Sequence, residues 1–379
     1  MCHPMRRFLA STAALACLIL TAAPAASGLQ PAHHRAQAPS PPPPPAPTTA
    51  PAPPPPPKSW VLVDADTGAV LDQGNAHAPL PPASVTKVLT ALIAAEELPP
   101  GADVPVSPVA QGMPARYMNM KAGQVWKLED DMHALLMISA NDAAVALAER
   151  VSGSRESFAV EMAQTAGRLG MNDAPVLRDP AGLDDEFSNQ GGNLISAHDL
   201  AIAARAALAN DEIRQIAATP IYKFHGGDGN DHRLINEDLL LRQYPGAIGL
   251  KTGYTRKAGH SFIGAATRDG RTMLAVVMGA PDFYRSTQGL LDKGFSIPLD
   301  AERGLEHLPG VVPNAAAAEP AKAVPLQTRT PAPRAFHVSS DDTVQVVRDG
   351  IWIAIVSLPV AYLAMRLLLG RRRRRYLFR

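Results

Sequence analysis

Ser84 and Lys87 stand three residues apart in Ser84-Val85-Thr86-Lys87, where an apolar helical pattern begins. On a helix that spacing places both side chains on one face, close enough to meet. A serine hydroxyl is a poor nucleophile until a neighbouring base removes its proton. A buried lysine amine beside another cation has a lowered pKa and can be that base. Lys251, in Lys251-Thr252-Gly253, supplies the second cation, and Ser139-Ala140-Asn141 adds a hydroxyl and a carboxamide. In such a site Ser139 relays a proton towards a leaving amine, and Asn141 holds the amide backbone of a substrate. Lys251 and Thr252 suit a substrate carboxylate, and Gly253 admits a peptide backbone as an added strand. The oxyanion hole falls to the backbone N–H groups of Ser84 and Tyr254, worth about 3 kcal/mol per donor. Arg285, just before the last apparent helix of the body, is a candidate second charge for the carboxylate. Each motif alone has a blander reading, Ser84 as a helix cap and Lys87 as a solvated lysine. The ordered set of three is a known catalytic constellation.

These residues need elements to hold them. Residues 60–63 and 69–71 read as strands around a turn at residues 64–68. Residues 132–151, 158–169 and 197–208 are Ala- and Leu-rich and helical in character. Residues 248–254, 261–267 and 272–278 read as strands again, punctuated by turn signals such as Asp269-Gly270. Strands at both ends around a helical middle predict an α/β sandwich in which early and late strands share one antiparallel sheet. On this reading Ser84 starts a helix, Ser139 to Asn141 end one, and Lys251 to Gly253 lie on a strand.

The body resembles the D-alanyl-D-alanine carboxypeptidases of low molecular mass, which are penicillin-binding serine peptidases. The resemblance rests on Pro82-Ala83-Ser84-Val85-Thr86-Lys87, Ser139-Ala140-Asn141-Asp142-Ala143-Ala144, Leu169-Gly170-Met171, Pro180-Ala181-Gly182-Leu183 and Lys251-Thr252-Gly253-Tyr254-Thr255. It covers about two thirds of the chain, residues 60–295. It implies a β-lactamase/DD-peptidase-like sandwich with a helical subdomain, and removal of the terminal D-alanine from peptidoglycan stem peptides through an acyl-enzyme on Ser84. It further implies covalent binding of β-lactam antibiotics and no cofactor. Family members commonly carry a second, β-rich domain; here a linker is expected in its place.

The two ends address the chain. Arg6 and Arg7 precede a short apolar run, residues 8–22, and Ala23-Pro24-Ala25 has the pattern of a cleavage site. Residues 1–25 are therefore expected to be a signal peptide, removed on export. Both cysteines, Cys2 and Cys17, fall inside it, so the mature chain is expected to lack disulfides and thiol-based metal sites. Residues 26–58 form a Pro/Ala-rich disordered linker, residues 59–306 the peptidase domain, and residues 307–343 an Ala/Pro-rich linker. Within 344–370, the stretch 351–369 is nearly all apolar and spans roughly 28 Å as a helix, enough to cross a bilayer. Arg371 to Arg375 follow it, so the tail 371–379 is expected in the cytoplasm and the body outside, anchored by one pass through the cell membrane.

Other chemistries fare worse. The formal net charge of +1 includes the terminal arginines, which argues against a nucleic-acid partner. His77, His133, His198, His225, His232 and His260 show no metal-ligand spacing, so no metal is expected. His198-Asp199 opens a helical run, where a cap is the simpler role. Gly226-Gly227-Asp228-Gly229 lacks the preceding strand of a phosphate loop and reads as a surface loop, a candidate for the cleft rim. No Glu-x-x-Leu-Asn block lies between Ser139 and Lys251; Glu149, Glu156 and Glu161 sit in helical patterns. A β-lactamase-like deacylation is therefore not expected. A D,D-endopeptidase or a β-lactamase of the same fold, and a non-catalytic peptidoglycan-binding scaffold, are the alternatives.

Overall fold

The computed structural model describes residues 54–311. The expected signal peptide, most of both linkers, the span 344–370 and the tail lie outside the described residues. Among those described, no helix is long and apolar enough to cross a membrane. The strands are β1 (Ser59–Asp64), β2 (Val70–Gly74), β3 (Asp103–Pro105), β4 (Val125–Lys127), β5 (Ile221–His225), β6 (Asp231–Ile235), β7 (Ala247–Thr255), β8 (Gly259–Arg268) and β9 (Arg271–Met278). The helices are α1 (Lys87–Glu97), α2 (Pro108–Gln111), α3 (Leu128–Met137), α4 (Asn141–Ser152), α5 (Arg155–Leu169), α6 (Ala197–Ala209), α7 (Asp211–Ala218), α8 (Leu240–Gln243) and α9 (Phe283–Ser296).

Five strands form one antiparallel sheet in the order β2-β1-β9-β8-β7. The join of chain start to chain end is the β1–β9 pair, with Val61 opposite Val276. Both faces of the sheet are covered at its centre, so β1 and β9 carry long apolar runs. Leu274, Val276 and Met278 face the large core beneath the helical subdomain. The alternate residues Met273, Ala275 and Val277 face a smaller core under α9. Period-two alternation on a two-sided sheet explains why β9 carries no polar side chain between Met273 and Met278. β7 ends the sheet, hydrogen-bonded to β8 on one side only.

Several details refine the expectation. The run 132–151 is not one helix: α3 stops at Met137 and α4 restarts at Asn141. Ser139 between them has φ +65°, a left-handed conformation that cannot continue a helix. The Gly226 to Gly229 segment turns between β5 and β6, where a Cβ on Gly227 would lie 2.1 Å from the Val125 carbonyl oxygen. It packs on the β4 segment and is not among the residues lining the cleft. Ser196 caps α6, its hydroxyl accepting from the Asp199 N–H, in line with a capping Ser or Asp at that start. Packing continues past Glu306, since the Leu308 N–H donates to Gly68 and the Arg205 guanidinium to the Pro309 carbonyl.

Candidate active site

Ala83 to Thr86 form a 3₁₀ turn that leads into α1, with Ser84 half-exposed and Lys87 fully buried. Ser84 does not cap the helix; no side-chain cap bond exists at either start. Ala83 has φ +55°, and its carbonyl oxygen turns onto Gly182, where a Cβ would lie 2.0 Å away. Only glycine fits there, at φ +74°. Gly182 belongs to a loop organised by the buried Asp179, whose carboxylate accepts from the N–H groups of Ala181, Leu183 and Asn189 at 2.8 to 3.0 Å. Asn193 fastens the loop to the turn, donating to Thr86 Oγ1 at 3.2 Å.

Lys87 Nζ lies 3.0 Å from Ser84 Oγ, 2.8 Å from Asn141 Oδ1 and 2.7 Å from the Ala181 carbonyl oxygen. The Asn141 orientation is fixed because its Nδ2 donates to the Pro114 carbonyl at 3.0 Å. Two of the three partners of Lys87 can therefore only accept. A neutral amine has two N–H bonds and one lone pair. Its N–H bonds are consumed by Asn141 and Ala181, and the lone pair is left for the Ser84 hydroxyl. Burial, followed by the charge of Lys251, pushes Lys87 well below the ordinary lysine value. Lys251, itself buried, is lowered to about 7 by burial and then by Arg116, against the opposing pull of Asp238. Its Nζ donates to the Thr252 carbonyl at 2.9 Å.

A cleft of about 350 Å³ opens above the turn, lined in part by Ser84, Ser139, Asn141, Thr252, Gly253 and Tyr254. The left-handed Ser139 is what brings that hydroxyl and the first residue of α4 to the same wall. A Cβ on Gly253 would lie 3.0 Å from the Ser84 nitrogen and 3.1 Å from that of Val85, so β7 lies directly against the nucleophile turn. Of the residues expected from distant segments, Ser84, Ser139, Asn141, Thr252, Gly253 and Tyr254 thus meet in one groove, with Lys87 and Lys251 buried behind its lining. Arg285 stands apart. It stands in the first turn of α9, 3.8 Å from the Asp282 carboxylate, and does not line the cleft.

Sequence reasoning missed several wall residues. Arg116 and Glu237 line the cleft and pair with one another. They are lone charges in unpatterned segments, and nothing in their neighbourhood marks them. Tyr254, His260 and Phe283 form a ladder, with ring centroids 4.6 and 4.9 Å apart. The register of the β7–β8 hairpin sets Tyr254 opposite His260, so that contact was within reach of the strand prediction.

Known proteins fit this geometry. A family model described as D-alanyl-D-alanine carboxypeptidase, peptidase S11, matches residues 47–282. The chain belongs to this carboxypeptidase family. It is 36% identical over 256 residues to the D-alanyl-D-alanine carboxypeptidase DacB2 of Mycobacterium tuberculosis, covering 65% of this chain and 85% of that one. It is 34% identical over 230 residues to the carboxypeptidase DacF of Bacillus subtilis, covering 59% of this chain and only 57% of that relative. Among solved structures, a D-alanyl-D-alanine carboxypeptidase of Mycobacterium tuberculosis aligns with TM-score 0.61 at 32% identity, over 69% of this chain and 98% of that one. Penicillin-binding protein D2 of Listeria monocytogenes, in its cefotaxime-bound form, aligns with TM-score 0.55 at 27% identity, over 63% and 97%. The family thus has the DD-peptidase fold, α/β with an antiparallel sheet, that the sheet order here displays.

Proposed function

We propose that this chain removes the terminal D-alanine from peptidoglycan stem peptides through an acyl-enzyme on Ser84, and that β-lactam antibiotics acylate the same oxygen. The observation that carries the reading is the contact of buried Lys87 Nζ with Ser84 Oγ at 3.0 Å, beside two obligate acceptors at 2.8 and 2.7 Å that leave the lone pair of a neutral amine for the hydroxyl. Lys87 takes the Ser84 proton while Oγ attacks the carbonyl of the penultimate D-Ala. The backbone N–H groups of Ser84 and Tyr254 hold the oxyanion. The C–N bond breaks, Ser139 passes a proton to the departing amine, and water then hydrolyses the ester. Asn141 positions the substrate amide, while Thr252 and the charge of Lys251 meet the terminal carboxylate. The one-sided edge of β7 is suited to receive the stem peptide as a further strand.

The reading extends to the ends of the chain, on sequence alone. Export by residues 1–25 and a single membrane pass within 344–370 would hold the body outside the cell on its 307–343 tether, with the basic tail inside. The substrate is found there.

The test is incubation of the full-length protein with fluorescent penicillin and, separately, with a pentapeptide ending in D-Ala-D-Ala. A lasting covalent adduct and released D-Ala are expected. Ser84→Ala is expected to abolish both and to change unfolding free energy by no more than about 1 kcal/mol, because the hydroxyl caps nothing. Label on the Ser84→Ala protein would remove Ser84 as nucleophile.

A further inference from the structure

Three residues that sequence spacing keeps apart meet away from the cleft. His77 lies in the segment between β2 and the nucleophile turn, Asp173 follows α5, and His198 sits in the first turn of α6. None of them lines the catalytic cleft. One ligand atom from each, an imidazole nitrogen or a carboxylate oxygen, lies within 4.8 Å of the others. His77 Nδ1 is 3.0 Å from both oxygens of Asp173, and His198 Nδ1 is 3.8 Å from Asp173 Oδ2. In a tetrahedral zinc site with bonds near 2.0 to 2.1 Å, neighbouring ligand atoms stand about 3.3 to 3.4 Å apart. The two imidazole distances to Asp173 bracket that value.

The buried histidine supplies the second observation. The His198 side chain is 11% exposed, and its Nδ1 is buried with no hydrogen-bond partner. A buried, unpaired imidazole nitrogen carries an energetic cost that a ligand would relieve. The same nitrogen is 3.8 Å from Asp199 Oδ1, beyond hydrogen-bond distance. The outer groups are in place as well. His198 Nε2 faces Glu306 Oε1 at 3.3 Å, the carboxylate–histidine arrangement that orients metal-bound imidazoles. Ser196 Oγ donates to Asp173 Oδ2 at 2.5 Å, which fixes the carboxylate.

We propose that His77, Asp173 and His198 form a binding site for a divalent transition metal, Zn²⁺ by its ligand chemistry, with Glu306 orienting His198. Two imidazoles and one carboxylate suit such an ion far better than Mg²⁺ or Ca²⁺, which take oxygen ligands. The exposed His77 leaves room for water as a fourth ligand. The ion would tie together the segment entering the Ser84 turn, the end of α5, the start of α6 and, through Glu306, the last turn of the body.

The test uses the chelator-treated full-length protein titrated with Co²⁺, whose visible absorption reports a tetrahedral nitrogen and oxygen site, and then with Zn²⁺ in competition. The wild type is expected to show saturable bands that Zn²⁺ removes, and a rise in Tm with Zn²⁺. His77→Ala, at a half-exposed position, and the isosteric Asp173→Asn are each expected to weaken binding by on the order of tenfold or more and to abolish the Tm rise. Acylation of His77→Ala by penicillin should match the wild type. Absent bands, or equal affinity in the wild type and both variants, would overturn the proposal, since any metal bound would then sit elsewhere.

Discussion

Lys87 is held in a cage of acceptors, and its neighbours decide when it can act as a base. Its pKa is depressed first by burial and next by the positive charge of Lys251. Only the neutral amine can take the Ser84 proton, so acylation should fall as pH drops through the depressed pKa of Lys87. Replacing Lys251 by Gln removes a cation that disfavours protonation of Lys87. The pKa of Lys87 then rises, and the acid limb of the penicillin acylation rate is expected to move to higher pH. A pH–rate profile of Lys251→Gln with an unshifted acid limb would break the electrostatic link between the two lysines. The carboxylate role of Lys251 makes a separate demand: peptide turnover and penicillin acylation should both fall in Lys251→Gln at an optimal pH, since penicillin carries a carboxylate as the peptide does.

Between elements, the decisive contact is β7 against the 3₁₀ turn of Ser84. It depends on Gly253, because a methyl group there would press on the backbone nitrogens of Ser84 and Val85 at 3.0 and 3.1 Å. Backbone cannot step aside as the end of a flexible side chain can. Gly253→Ala is expected to push the edge strand from the nucleophile by a few tenths of an ångström. Because catalysis is sensitive to small misplacements, acylation should slow by about ten- to a hundredfold. The cost in stability should stay within the usual 1 to 3 kcal/mol of overpacking. Acylation kinetics beside urea unfolding separate the two effects. Kinetics equal to the wild type would mean that β7 and the turn do not need their close approach.

At the scale of the whole molecule, the pairing of the body's first strand with its last holds the sheet together. Arg271, at the start of β9, pairs with Asp64 at the end of β1 and with Glu302 in the last turn. Asp64 Oδ2 is 2.6 Å from the guanidinium, and Thr67 Oγ1 donates to Glu302 at 2.9 Å. Both carboxylates are buried, so Arg271→Ala strands two charges. Breaking a buried pair in this way costs about 3 to 5 kcal/mol. Urea denaturation of Arg271→Ala should show a loss of that size, and a loss under about 1 kcal/mol would mean that solvent reaches the carboxylates. The proposed membrane tether belongs to the same scale. Full-length protein is expected in the membrane fraction, and deletion of residues 351–369 is expected to release it; retention after deletion would remove that span as the anchor.

Local chemistry in the sequence sufficed for much of this. Short apolar runs bounded by turn signals marked the sheet strands, Ala- and Leu-rich runs marked most helices, and short motifs marked Ser84, Lys87, Ser139, Asn141 and Lys251, because such signals are carried by neighbours in the chain. What local pattern could not carry came from contacts between segments. The left-handed Ser139 that splits 132–151 into two helices depends on where α4 must start, not on propensity. The Arg116–Glu237 pair, the absence of Arg285 from the cleft wall and the meeting of His77, Asp173 and His198 each join residues with no shared sequence signal. Lysine burial is of the same kind: Lys87 is an ordinary base in the unfolded chain and a depressed one only after the fold removes water and brings Lys251 beside it.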